Sequence, residues 1–96
     1  MEGPYFWHSS ASIDGEWIIA DTNWPNEGLV LVCVKTRRFK TLLDPQTSAG
    51  HPQWTHPHPF LSPDRRFVAF GSDWTGVAQV YTAGVPAELY EELYVE

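Results

Sequence analysis

Ninety-six residues, 43% hydrophobic and 15% aromatic, suffice for one small domain and exclude a disordered chain. Six basic against twelve acidic residues give a net charge of −6, which leaves no basic stripe to neutralise phosphates and excludes a nucleic-acid partner. No segment approaches the roughly 18 apolar residues of a membrane span, and Met1-Glu2-Gly3-Pro4 lacks the basic start and apolar core of a signal peptide. The expectation is a protein of a reducing, cytoplasmic compartment with no membrane partner.

Eight prolines and seven glycines beside five tryptophans, four tyrosines and five phenylalanines suit short strands and turns, an all-β chain. In chain order, strands are expected near 8–12, 16–21, 28–34 and 38–43. Cys33 lies inside the apolar run Leu29 to Val34, which predicts a buried, inert thiol. Arg37-Arg38 reads as a turn. Further strands are expected near 57–61, 66–71 and 77–82, divided by the breakers Ser62-Pro63-Asp64 and Gly71 to Gly76. The tail 87–95 reads either as a fourth strand or as a short helix, because Leu89 and Leu93 stand four apart.

Between these groups of strands lies Gln53-Trp54-Thr55-His56-Pro57-His58. Residues two apart on an extended segment point to the same side, so His56 and His58 are expected to project together. Pro57 and Pro59 push the histidine before each of them toward extended geometry. Two imidazoles and an amide oxygen so spaced are half of a metal site.

The chain also repeats. His8, Ser12, Asp14 and Trp17 match His58, Ser62, Asp64 and Phe67, and Thr22-Asn23-Trp24 lies over Ser72-Asp73-Trp74. After a two-residue slip, Gly28 falls on Gly76 and Leu29 to Val32 on Val77 to Val80. A period near 48 to 50 residues made of short strands belongs to the β-propellers, in which one blade is a four-stranded antiparallel sheet. The expected division is one blade over 1–48 and a second over 49–96. Two blades cannot close a ring, so either further blades of a longer chain or other copies in a homo-oligomer are expected to cover their faces.

The stretch Gln53 to Pro59, followed by Ser62-Pro63-Asp64 and Phe70-Gly71-Ser72-Asp73, with His8 opening Ser12-Ile13-Asp14-Gly15, resembles the C-terminal part of the oligogalacturonate lyases. That family is a seven-bladed propeller that uses manganese. The Ser-Pro-Asp and Ser-Asp elements are shared with TolB-like repeats in general, whereas Gln-x-x-His-x-His is specific. The resemblance implies that His8, Gln53, His56 and His58 are metal ligands. It further implies an oligogalacturonate or other uronate oligosaccharide as substrate and β-elimination as the reaction. Ligand type alone leaves manganese, nickel, zinc and iron open.

The family's histidine base and its substrate-clamping arginine have no counterpart in this sequence, and the catalytic residue stays unassigned. Trp54 is the candidate sugar platform, with His51 beside it as a second group on the substrate side. Asp14 and Asp64 precede turns and are expected to cap backbone amides, with Asp21 and Asp73 in similar structural duty. Trp24 and Trp74 are expected to pack between blades. The alternative reading is a non-catalytic TolB-like module for protein interaction or self-assembly, in which the histidines are incidental.

Overall fold

A computed structural model describes residues 6–22, 28–45, 57–73, 75–77 and 79–95. The chain is nearly all β. The first sheet has the order β1-β2-β3-β4, from β1 (Phe6–Ala11), β2 (Trp17–Thr22), β3 (Leu29–Cys33) and β4 (Phe39–Leu43), each antiparallel to its neighbour. The second has the order β5-β6-β7, from β5 (Phe60–Leu61), β6 (Phe67–Ser72) and β7 (Gln79–Gly84). Among the described residues one helix, α1 (Ala87–Tyr94), follows the second sheet.

The repeat is visible in matched hydrogen bonds at the two first hairpins. In one, the Ser12 hydroxyl donates to Asp14 at 2.6 Å, and the Glu16 and Trp17 amides donate to Asp14 and to the Ser12 oxygen. In the other, Ser62, Asp64, Arg66 and Phe67 reproduce every one of these bonds. The third turn residue takes a left-handed conformation in both, Gly15 at φ 73° and Arg65 at φ 62°. The two aspartates therefore have the capping duty expected of them, each satisfying backbone donors that the turn leaves without strand partners.

Strand alternation then builds the core. Trp17 and Ile19 of β2, with Leu29, Leu31 and Cys33 of β3, lie on one face of the first sheet, and Cys33 is fully buried there. Val68 and Phe70 of β6, Val85, and Leu89 and Leu93 of α1 pack against that face. Two sheets consecutive in sequence are thus stacked face to face, with the helix sealing one side.

One open reading is settled and two expectations are corrected. First, the tail, which the sequence left open between a strand and a helix, is a helix. Ala-Glu-Leu-Tyr-Glu-Glu-Leu-Tyr is rich in helix formers, and its Leu89 and Leu93 face the core. The last carbonyls of the helix, orphaned by geometry, accept from the Thr36 hydroxyl (Leu93 O, 2.6 Å) and the Arg38 guanidinium (Glu92 O, 2.8 Å). The turn after β3 therefore ties α1 to the first sheet.

Second, the later strands are offset from the expected spans. Trp17 pairs with Cys33 while its counterpart Phe67 pairs with Gly84, so the equivalence of β3 and β7 steps from 33 to 84, a separation of 51. Gly28 and Gly76 do share a positive φ, 81° and 94°, but Gly28 abuts its strand and Gly76 does not. The turn glycine is conserved between the halves and the strand register is not. Third, the strand expected over 57–61 shrinks to Phe60–Leu61, because prolines at 57 and 59 cannot donate to a ladder. His58 between them has φ 44°, which is left-handed and not the extended conformation that Pro59 favours.

Candidate metal centre

His8 lies on β1 and His58 on the segment leading into β5, so the stacking of the sheets decides whether their side chains meet. They do: the ring centroids are 3.7 Å apart with planes tilted by 34°. The two rings lie against each other at the distance of a stacked pair. Two imidazoles brought together from neighbouring sheets are donors of a type that suits a divalent cation.

Asp21, on β2, organises the pair. The His8 amide donates to its Oδ1 at 2.8 Å, the His8 Nδ1 lies 2.9 Å from Oδ2 and 3.2 Å from Oδ1, and the His58 amide donates to Oδ2 at 3.2 Å. Asp21 is 3% exposed. A carboxylate so buried is costly unless its oxygens are hydrogen-bonded, and here two backbone N–H groups and the His8 ring nitrogen converge on it. Its partner strand position carries the same logic in reverse: the counterpart of Asp21 in the second sheet is Gly71, whose amide donates to the Pro57 carbonyl at 2.8 Å. That bond and the one from the His58 amide to Asp21 hold the 57–58 segment from both sides, which sustains the left-handed backbone at His58.

The structural duty expected of Asp21 is thus seen, but it joins two sheets where Asp14 and Asp64 each serve one turn. It sits within a strand on the same face as Trp17 and Ile19. A charged residue in register with an apolar core face was the signal available, since such a residue must find donors or be excluded from the fold. The other expected ligands, Gln53 and His56, lie outside the described residues, as do His51, Trp54, Trp24 and Trp74. Among the described residues no group of three or more His, Cys, Asp or Glu is arranged to hold a metal, and no helix is long and apolar enough to cross a membrane.

Two stacked antiparallel sheets that repeat one sequence unit and place equivalent histidines against each other define a portion of a β-propeller. No family model matches the sequence, and no curated protein does. Among solved structures the chain superposes on the crystal structure of an oligogalacturonate lyase from Vibrio parahaemolyticus with a TM-score of 0.81 and 30% identity, covering 93% of this chain and 26% of that one. An oligogalacturonate lyase in complex with manganese gives the same TM-score at 23% identity, covering 92% and 25%. The chain is an oligogalacturonate lyase-like pair of propeller blades, and it spans about a quarter of the length of the lyases it matches.

Proposed function

We propose that this chain supplies the metal-holding blades of an oligogalacturonate lyase-like propeller, with the blades dividing near residue 48. His8 and His58, joined by Gln53 and His56, would hold a divalent ion of the manganese type. The observation that carries this reading is the 3.7 Å approach of the His8 and His58 rings across the sheet interface, in a chain whose fold matches lyases, one of them a manganese complex.

When bound, such an ion supplies positive charge to a uronate carboxylate and so acidifies the neighbouring C5 proton. The chain's own part is to bind and orient. His8 is fixed through Asp21, and the Pro57 and Pro59 rings restrict the backbone on either side of His58. Removal of the C5 proton, loss of the 4-oxygen and formation of a 4,5-unsaturated sugar need a base, and the rest of a complete propeller is the proposed source of that group. Without it, this chain binds uronates and does not cleave them.

The test is elemental analysis of protein purified without nickel resin, combined with thermal melts in added manganese chloride. Bound manganese and a raised melting temperature, both lost in His58→Ala, are the expected outcome. A metal-free protein whose melting ignores manganese overturns the proposal. Ultraviolet absorbance of the unsaturated product, on addition of oligogalacturonate, reports cleavage separately.

A second reading, a blade-to-blade association module, is favoured by the outer face of the second sheet. Phe60, Phe67 and Val80 share that face by register and are 54%, 48% and 77% exposed. The face opposite is covered by the first sheet, so the fitting occupant is a further blade of the same repeat. The mass in solution separates a chain that associates through this face from one that does not.

A further inference from the structure

We propose that Asp21 is a positioning residue that sets the tautomer of His8 and locks the His8 and His58 main chains to each other across the blade interface. A carboxylate only accepts hydrogen bonds. With Asp21 at 2.9 Å from the His8 Nδ1, the neutral ring carries its proton on Nδ1 and its lone pair on Nε2. A histidine that ligates a metal through one nitrogen commonly donates from the other to a carboxylate, which fixes ring orientation and raises ligand basicity. The same two oxygens take the backbone amides of His8 and His58. One side chain therefore governs the ring of one candidate ligand and the backbone of both.

The broken symmetry of the repeat points the same way. The two first hairpins agree bond for bond, whereas the position of Asp21 is glycine in the second sheet. A carboxylate serving only the blade architecture would have a use in both halves. This one occurs where two imidazoles meet and where the His58 backbone is held at φ 44°, a conformation that a non-glycine residue keeps only when its surroundings impose it. Asp21 supplies part of that constraint by accepting the His58 amide.

The substitution Asp21→Asn keeps the shape and replaces one acceptor oxygen with an NH2 donor. Whichever way the amide is turned, it confronts an N–H of His8 or His58, and the conflict at the ring is relieved by moving the ring proton from Nδ1 to Nε2. The tautomer claim stands on the metal-free geometry alone, while its consequence for affinity rests on the metal reading above.

The experiment is nitrogen-15 NMR of the histidine rings in the metal-free chain at about pH 8, where an ordinary imidazole is neutral, beside a manganese titration of the wild type and D21N. The expected result is an Nδ1–H tautomer for His8 in the wild type, an Nε2–H tautomer in D21N, and manganese affinity lowered on the order of 10- to 100-fold in D21N. An Nε2–H tautomer in the metal-free wild type overturns the proposal, and so does a D21N variant with unchanged tautomer and affinity. Should D21N fail to fold, the wild-type tautomer decides alone. An Nδ1–H tautomer in a wild type that takes up no manganese overturns the metal reading and upholds the role of Asp21 on the ring.

Discussion

The two sheets share a sequence pattern and differ in how deeply they are buried. In the first, every residue of β3 is buried and β2 is nearly so, whereas β7, the outermost strand of the second, is exposed or half-exposed throughout. The first sheet is covered on one face by the second sheet and helix, and it carries the carboxylate that joins both halves. The second sheet leans on it, lends His58, and presents apolar side chains outward. Repeated units of one ancestry need not contribute equally to stability, because burial belongs to a residue's neighbours and not to its place in the repeat.

The comparison is broken most strongly by truncating matched strands. Leu31 of β3 is fully buried, so Leu31→Ala is expected to cost about 3 kcal/mol in urea unfolding. Val80→Ala on β7 is expected to stay within about 0.5 kcal/mol. Equal costs would mean that the outer face of the second sheet is covered in solution, which would turn the contrast into evidence for association.

The turn glycines give a smaller contrast. A Cβ at Gly28 would collide with the Leu43 carbonyl, while one at Gly76 meets nothing within 4 Å. Both residues hold positive φ, so each alanine substitution pays for a left-handed backbone, about 1 kcal/mol. Gly28→Ala is expected to exceed Gly76→Ala by a further 1 kcal/mol or more, roughly. Similar losses in thermal melts would show that the Leu43 segment yields.

The smallest expected effect is on pH dependence, where the halves should behave alike. The Ser12 hydroxyl, then the Glu16 amide, hold the Asp14 carboxyl below its ordinary value of 3.8. The Arg66 amide, then the Ser62 hydroxyl, do the same for Asp64. A depressed folded value means that the unfolded chain takes up protons first as acid is added. The stabilisation is therefore present above about pH 4 and is lost as pH falls through the folded values. Both carboxylates are exposed, so solvent weakens the effect. Melting temperatures between about pH 5 and about pH 2 should converge for the wild type and an Asp14→Asn, Asp64→Asn double variant, and curves that stay parallel would refute the linkage.

Much of the architecture was legible from local chemistry. Ser12, Asp14, Ser62 and Asp64 announced two equivalent hairpins because a hydroxyl and a carboxylate two residues apart can close a turn without distant help. Leu29 to Cys33 announced a strand with a buried thiol by its unbroken apolar run. The tail was ambiguous, since Leu89 and Leu93 satisfy either a helix or a strand, and only the carbonyl acceptors presented to Thr36 and Arg38 show where the helix ends and against what. The register of β7 was misjudged because a turn glycine constrains φ at one position and leaves the pairing of the following strand to cross-strand contacts.

By itself the sequence determined the strand-and-turn composition, the duplicated unit, the lyase resemblance and the histidines worth watching, all properties of neighbours along the chain. Tertiary structure alone decided that His8 and His58 meet, that His58 turns left-handed, and that Asp21 stands between them. Those depend on the stacking of one sheet upon the other, and no spacing within a strand encodes the distance between two residues 50 positions apart.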